Sequence, residues 1–436
     1  MDMATRTPYI DYHELVQPDR VHARVYYDPQ IFEEELARIW HREWIFIGHE
    51  SEVPEPGDYR TGRLGRQPII ITRGADHQVH VLLNRCRHRG NTICQQRRGH
   101  AMTFTCAYHG WTYDCDGTLR GILFREDYGD AFDREAMSLI KVPRVASYRG
   151  FLFGSMSETG PDLDTHLGPV KANIDRFCDL SPSGEISMNH GVYQMRIKAN
   201  WKMWTENSVD AYHVYSTHGS NFYLESMFGK GAKKPGAGAP GKGTFGLINS
   251  RDMGNGHSDL DMRPQRRVTG MTYTGEWSEA FSEQAQREYI EGLERLHGKD
   301  KAERILLEGP AHTVTYPNLF FMLQEIRWCV PVSPTETYIY YAPCLLKGAP
   351  DEINTARLRR DEGAYGPAGF QLADDLEVWA RNYRGLEARA DEWILMNRGL
   401  NQEVQPDEDG LPSQGDLSEL TMRSQWQQYL KLMTTD

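Results

Sequence analysis

The stretch CRHRGNTICQQRRGHAMTFTCAYH, which runs from Cys86 to His109, contains two short Cys/His clusters. One residue separates Cys86 from His88, two separate Cys106 from His109, and seventeen lie between His88 and Cys106. Cys and His at such short spacings are typical ligands of a metal held between two loops. The stretch therefore predicts a metal site, and the rest of the sequence has to indicate which metal.

Each cluster supplies one thiolate and one imidazole. Structural zinc sites usually pair like with like, with two cysteines in one loop and two histidines in another. A mixed set suits a two-iron cluster in which Cys86 and Cys106 bind one iron and His88 and His109 bind the other. A small zinc ribbon is the alternative interpretation.

The whole chain has the composition of an ordinary globular protein, with 436 residues, 25% of them charged and 39% hydrophobic. Its formal net charge of −12 argues against a nucleic-acid-binding surface. No apolar run approaches the length of a membrane span, and the N-terminus lacks the profile of a secretory signal, so we expect a cytoplasmic protein with no membrane partner. Seven cysteines are too few for a disulfide framework and leave thiols free to bind metal.

Changes in the sequence pattern divide the chain into three predicted parts. Residues 1–43 form an N-terminal helical segment that is expected to pack on the largest domain, with Asp28 capping a helix that starts at Pro29. Residues 44–160 show short strands and turns, and both Cys/His clusters fall on loops between them. Residues 161–436 mix helices with a strand-rich block. The predicted fold class is α+β: a small all-β domain and a larger α+β domain, whose antiparallel sheet is covered by helices.

A second group of candidate ligands lies in WKMWTENSVDAYHVYSTH, residues 201–218. Asp210 and His213 are three residues apart, which predicts one helical face. His213 and His218 are about 140° apart around an ideal helix, so they can share a metal only if the helix ends or distorts between them. Two histidines near a helix end are usually packed or solvated. The two-iron cluster predicted upstream could supply electrons. It therefore favours instead the facial triad of non-haem Fe(II) oxygenases, two His and one carboxylate with open positions for oxygen and substrate.

The two ligand patterns together resemble the Rieske aromatic-ring-hydroxylating oxygenases, in their catalytic α subunit. The first, C-x-H-x17-C-x2-H followed by Gly110-Trp111, is similar to the Rieske iron–sulfur domain, and the second, Glu206-x3-Asp210-x2-His213-x4-His218, is similar to the mononuclear-iron motif. The similarity covers nearly the whole chain. It implies one 2Fe-2S Rieske cluster and one mononuclear Fe(II) bound by His213 and His218.

In that family the third iron ligand is a carboxylate on a helix after a Gly-Pro-Ala-Gly-Phe-like turn. This sequence has Gly366-Pro-Ala-Gly-Phe370 followed by QLADDLEVW. Aligned residue by residue, the resemblance places the ligand at Asp375, with Asp374 as the nearby alternative. Helix capping is the purely structural interpretation of two adjacent Asp residues at a helix start.

The resemblance also implies an assembly and a route for electrons. Family members form an α3 ring, commonly with three small β subunits, in which the Rieske cluster of one protomer faces the mononuclear iron of its neighbour. Asp210 matches a bridging carboxylate that hydrogen-bonds His213 of its own protomer and His109 of the neighbouring protomer. Asn207 is the second predicted catalytic residue. The chain has no Gly-x-Gly-x-x-Gly fingerprint, so we expect NADH electrons to arrive through a separate reductase, with or without a ferredoxin.

The predicted function is that of a terminal oxygenase that uses O2 to cis-dihydroxylate a small aromatic substrate, in the catabolism of aromatic compounds. The predicted substrate-binding residues are Arg327, Tyr365 and Gln371, because an Arg fork binds carboxylates bidentately and the other two flank the Gly-Pro-Ala-Gly-Phe turn. The Glu206-Asn207-Ser208 stretch is closer to benzoate-like than to naphthalene-like members, which favours an aromatic acid or amine. A structural ion pair is the alternative for Arg327. Residues 229–243, rich in Gly, Pro and Lys, are expected to form a loop.

Three alternative functions use the same residues differently. The nearest is a Rieske-type monooxygenase that hydroxylates or demethylates. An electron carrier without substrate chemistry would need no open-site iron, and a zinc-stapled binding protein would be colourless and redox-silent.

Overall fold

The computed structural model describes residues 9–220, 245–415 and 417–435. The expectation for the 229–243 loop lies outside these residues. Three antiparallel sheets form the part of the chain that carries the Cys/His clusters. Their strands are Asp58–Leu64, Gln67–Arg73, Val79–Leu83 and Arg98–His100 in the first, Thr103–Thr105, Thr112–Asp114 and Leu119–Gly121 in the second, and Ile45–His49, Arg144–Tyr148 and Phe151–Ser155 in the third.

A larger antiparallel sheet, with nine strands among the described residues, forms the centre of the second half of the chain. In spatial order the strands are Tyr193–Ile197, Glu336–Pro343, Glu325–Ser333, Leu319–Met322, His312–Thr315, Ser258–Asp261, Asn249–Asp252, Pro412–Gly415 and Gln405–Pro406. Two smaller sheets pair Val16–Gln17, Arg20–His22 and Trp393–Leu395, and Ile186–Ser187 with Leu345–Leu346. The predicted α+β class, with a small all-β domain and an antiparallel catalytic sheet, is confirmed.

Helices cover this sheet and join its strands. In the described residues they are Tyr12–Leu15, Pro29–Glu35, Leu163–Leu167, Val170–Cys178, Trp201–Asn207, Val214–Thr217, Arg263–Thr269, Glu283–His297, Lys299–Glu308, Asp351–Tyr365, Phe370–Gly385 and Leu420–Thr434. Asp28 caps its helix as predicted, accepting from Gln30 N at 2.8 Å. The helices Leu163–Leu167 and Val170–Cys178 are separated by Gly168, which has a φ of 47°, and by the following Pro169. Within the described ranges, no helix combines the length and the apolar character that a bilayer crossing requires.

The register of the large sheet decides which side chains face the same way. Phe320 is paired directly with Arg327, and Arg327 with Tyr341, so these three side chains share one face with His312 and Met322, another direct pair. The alternate residues of the same strands point to the opposite face. One face of the sheet therefore carries an unusual mixture of imidazole, guanidinium and phenol groups.

The opposite face packs against the Cys/His-bearing part of the chain. The ring of Trp328 lies 5.6 Å from that of Phe46, and the ring of Phe321 lies 5.1 Å from that of Phe151. All four rings are buried in one apolar cluster. The sheet thus joins the two domains on one side and leaves its polar face free for a site on the other.

Candidate metal centres and substrate cavity

The two Cys/His loops have the same backbone geometry. In each, the glycine four residues after the Cys has a positive φ, 74° at Gly90 and 69° at Gly110, and its N–H donates to the Cys carbonyl at 3.0 Å. A side chain would strain either position, so the glycines let each loop fold tightly under its ligands. The imidazole rings of His88 and His109 consequently lie 4.5 Å apart.

The donor set of the two loops fits a mixed-ligand iron–sulfur cluster. Burial alone would raise the pKa of the Cys106 thiol, but the backbone N–H of Tyr108, the Cys86 side chain and the backbone N–H of His109 together lower it below its usual value, which favours a thiolate. Burial and the neighbouring His109 lower the pKa of His88, which keeps that imidazole neutral, as a metal ligand must be. Cys86 and Cys106 are each 2% exposed, whereas His88 and His109 are only partly buried.

Residues 201–218 do not form the single helix that the sequence suggested. The helix Trp201–Asn207 ends, and a separate short helix, Val214–Thr217, follows it. His213 and His218 stand at the two ends of that short helix. The break therefore lies before both histidines, and the helix between them is only four residues long and ends at His218, whose φ of −96° and ψ of 20° leave the helical range.

Distant groups donate to the two carbonyls that follow the end of the first helix. His312 Nε2 donates to the carbonyl of Ser208 at 2.9 Å, and Thr421 Oγ1 donates to the carbonyl of Val209 at 2.9 Å. Both oxygens are then satisfied without the N–H groups of a further helical turn. The donors come from a strand and a helix far away in sequence.

A tight turn positions the candidate carboxylate. A Cβ on Gly366 would lie 2.5 Å from the Glu362 carbonyl oxygen, and one on Gly369 would lie 2.5 Å from the Ala364 carbonyl oxygen. Only glycine permits so close an approach of backbone to backbone. Asp375 is the sixth residue of the helix that follows this turn, beyond the first turn where capping carboxylates act.

His213, His218 and Asp375 converge. One ligand atom from each lies within 4.8 Å of the others, and Asp375 Oδ1 lies 3.6 Å from His213 Nε2 and 3.4 Å from His218 Nε2. Asp375 Oδ1 is buried and has no hydrogen-bond partner among the described residues, which is costly for a carboxylate unless a cation satisfies it. Two imidazoles and one carboxylate oxygen on one side of a buried point fit a mononuclear iron.

The two predicted catalytic residues border the same place. Asp210 lies in the turn between the two helices, not on a shared helical face with His213, and its Oδ1 accepts from Tyr212 N at 2.8 Å. Its Oδ2 lies 3.7 Å from His213 Nδ1. Although burial lowers the pKa of His213, the carboxylates of Asp210 and Asp375 raise it above its ordinary value. Asn207 is the last residue of the first helix.

A cavity of about 420 Å³ opens beside the three candidate ligands. The polar face of the large sheet forms its floor. All five predicted residues border it, namely Asn207, Asp210, Arg327, Tyr365 and Gln371. Much of the remaining wall is apolar and includes Ile248, Leu260, Met262, Phe320, Met322 and Leu323. The volume lies in the range of small-molecule sites and admits an aromatic ring with its substituents.

The charge of Arg327 is already balanced within the protein. Its Nε and Nη2 both contact Glu325 Oε1, and its guanidinium carbon lies 4.1 Å from the ring centroid of Tyr365. Burial raises the pKa of Glu325 well above its ordinary value and raises that of Asp361 to about 6. The guanidinium of Arg327 therefore already faces the acidic groups of Glu325 and Asp361 within the protein.

Sequence reasoning missed Glu325, Asp361 and the cavity role of His312. A signal existed for Glu325, since it stands two residues before Arg327 on the same strand and so shares its face. No comparable signal existed for His312, whose position depends on the pairing of its strand with a distant one.

Comparisons with known proteins agree with this geometry. Residues 43–127 match the Rieske 2Fe-2S domain family, and residues 185–411 match the family described as the ring hydroxylating alpha subunit (catalytic domain). The sequence is 32% identical to the 2-halobenzoate 1,2-dioxygenase large subunit of Burkholderia cepacia over 86% of this chain and 79% of that protein. It is 31% identical to the anthranilate 1,2-dioxygenase large subunit of Acinetobacter baylyi, over 88% of this chain and 81% of that protein.

A solved structure is similar along nearly the whole chain. A naphthalene 1,2-dioxygenase with indole bound in its active site superposes with a TM-score of 0.82 at 27% identity, covering 98% of this chain and 95% of that one.

Proposed function

Because this chain belongs to the family of Rieske-type ring-hydroxylating oxygenase alpha subunits, we propose that it is the terminal component of a multicomponent dioxygenase, adding both atoms of O2 to an aromatic ring to give a cis-dihydrodiol. It is an oxidoreductase whose cofactors are a Rieske 2Fe-2S cluster and a mononuclear iron. The convergence of His213, His218 and Asp375 at the wall of an apolar cavity carries the proposal.

The protein's own residues position the metals and the substrate and exclude water. When bound, the cluster supplies single electrons and the mononuclear iron activates O2. His213, His218 and Asp375 would hold the iron from one side, which leaves the cavity side open. Cys86, His88, Cys106 and His109 would hold the cluster. The apolar wall orients a ring and keeps bulk water away from it.

We propose a small aromatic ring with one polar substituent, an acid or an amine, as the substrate. The cavity is large enough to admit such a ring, and Arg327, Tyr365 and Gln371 offer polar contacts at its border. Because Glu325 and Asp361 balance the charge of Arg327, that side chain would act chiefly as a hydrogen-bond donor. The similar proteins are named for a halobenzoate, for anthranilate and for chlorobenzene, so their names leave the substituent open.

The proposed assembly is an α3 ring, with or without three small β subunits. The similar proteins are named as large or alpha subunits. Large apolar side chains close to the partly buried imidazoles support a protein contact there, since Tyr108, Leu123 and Phe124 are 57%, 61% and 71% exposed. In such a ring Asp210 would bridge His213 to His109 of the neighbouring protomer. NADH would deliver electrons through a separate reductase, with or without a ferredoxin.

The experiment is product analysis with ¹⁸O2 across aromatic acids, amines and hydrocarbons, after iron and acid-labile sulfide are quantified. Two labelled oxygen atoms in a cis-dihydrodiol are the expected result. One labelled atom in a phenol or in a demethylated product would indicate a monooxygenase; a similar protein is named as an N,N-dimethyl phenylurea N-demethylase. Zinc without labile sulfide would reject the Rieske assignment, and a reducible cluster with no product on any substrate would leave an electron carrier.

A further inference from the structure

Each histidine of the candidate iron site has a carboxylate behind its second ring nitrogen. His213 Nδ1 lies 3.7 Å from Asp210 Oδ2, and His218 Nδ1 lies 3.6 Å from Asp374 Oδ2. Both Nδ1 atoms are buried and make no hydrogen bond to another described residue. The Nε2 atoms of both rings face Asp375 instead.

A metal ion at Nε2 would decide the tautomer of each ring. The Nε2 lone pair is then shared with the metal, so Nδ1 must carry the hydrogen and becomes a donor. A buried N–H without an acceptor costs about 1–3 kcal/mol. For His218, the carboxylate nearest to that N–H is Asp374, and a movement of about 0.7 Å would bring the two atoms to a normal hydrogen-bond distance.

We propose that Asp374 is the positioning residue of His218: it accepts the Nδ1–H bond and so fixes the ring that binds the iron. This inference rests on the proposed iron site. The two neighbouring aspartates thus have different roles, because successive helix residues point about 100° apart and cannot both face one metal. Asp375 faces the Nε2 atoms, whereas Asp374 reaches the back of one ring, where Ser220 Oγ also donates to it at 3.4 Å.

Two other roles for Asp374 do not fit its position. It is the fifth residue of the helix that starts at Phe370, and Gly369 occupies the N-cap, so it does not cap the helix. As a direct ligand it would have to lie on the Nε2 side of the His218 ring, where the metal would bind, but its Oδ2 lies beside Nδ1. The carboxylate therefore acts through His218 and not on the metal.

The test measures metal affinity, independently of turnover. The purified protein, with its Rieske cluster intact, is freed of mononuclear iron by a chelator and titrated with Co(II). Asp374→Asn keeps the size of the side chain and removes its charge, and we expect Co(II) binding to weaken by about 10- to 100-fold, with altered Co(II) visible bands. Asp374→Glu keeps a carboxylate and should recover most of the affinity. Glu377→Gln is the matched control, because this carboxylate on the same helix pairs with Arg381 and Arg384 instead of a histidine.

Each outcome decides something. Unchanged Co(II) affinity and spectrum in Asp374→Asn would overturn the positioning role while leaving the proposed function intact. Complete loss of binding in Asp374→Asn, with binding retained in Asp375→Asn, would make Asp374 the ligand and also overturn it. A wild-type protein that binds no Co(II) would instead refute the proposed iron site. The visible spectrum of the cluster reports folding in every variant, and the Asp374 side chain, 34% exposed, tolerates substitution.

Discussion

The charged residues at the floor of the cavity lead to a testable prediction about substrate charge. Arg327 is opposed by Glu325 and Asp361, so the wild-type cavity should distinguish an aromatic acid from its neutral amide only weakly. The double variant Glu325→Gln/Asp361→Asn removes the opposing charge and leaves the guanidinium uncompensated. We take about 7 Å as the separation between a bound acid and the removed carboxylate. At an effective dielectric constant of about 20, the relieved repulsion is about 2.4 kcal/mol, or about 50-fold in affinity.

The assay compares benzoate with benzamide, which have nearly the same shape. Their dissociation constants are measured by calorimetry on the wild type, the double variant and a triple variant that also carries Arg327→Gln. We expect the benzamide-to-benzoate ratio of dissociation constants to rise about 50-fold in the double variant and to return toward the wild-type ratio in the triple variant. An unchanged ratio in the double variant would show that Arg327 does not meet the bound ring. A wild type that already prefers benzoate by that factor, and loses the preference in Arg327→Gln alone, would show that the guanidinium is a free carboxylate clamp.

Three further predictions concern the iron ligands, the electron transfer between the two metal sites and the buried side chain of Glu206. His213→Ala and Asp375→Ala should each abolish oxygenation while leaving the visible spectrum of the Rieske cluster intact; normal product formation by the Asp375 variant would remove it from the ligand set. Asp210→Asn should leave both metal sites loaded but slow reoxidation of the reduced cluster by O2 and substrate by about an order of magnitude or more, because a charge-assisted bond becomes a neutral one; stopped-flow traces at the wild-type rate would contradict the bridging role. Burial raises the pKa of Glu206 from 4.5 to about 7, so the folded state binds the extra proton and stability falls as pH rises through that window. Glu206→Gln should flatten the pH dependence of Tm and raise the free energy of unfolding above pH 7 by up to about 3 kcal/mol. An unaltered Tm profile would count against this.

The Cys/His loops could be predicted from sequence because their ligands are local. Cys86 and His88, and Cys106 and His109, are brought together by turns only a few residues long, and the glycines that those turns need are visible in the sequence. Asp375, with Asp374 as the alternative, was predicted from the family resemblance, which was anchored on the turn that contains Gly366 and Gly369.

The helix break before His213 could not be predicted. Local propensity favours continuing the helix, but the carbonyls of Ser208 and Val209 are taken by His312 and Thr421. These donors reach the break only after the sheet and the C-terminal helix have formed. The role of Arg327 was ambiguous for a similar reason, because one of its opposing acids, Asp361, arrives on a separate helix.

The candidate iron ligands also have a consequence for folding. Asp375 follows His218 at a distance of 157 positions, so a metal shared by them closes a very long loop. In a flexible chain, closing a loop of that length costs about 4–5 kcal/mol of entropy. An ion that binds only the folded arrangement offsets that cost through mass action, and its stabilisation grows with the logarithm of its concentration over its dissociation constant. Iron supply should therefore set not only the activity of this protein but also its resistance to proteolysis around the glycine turn, and iron-starved cells should contain less of it.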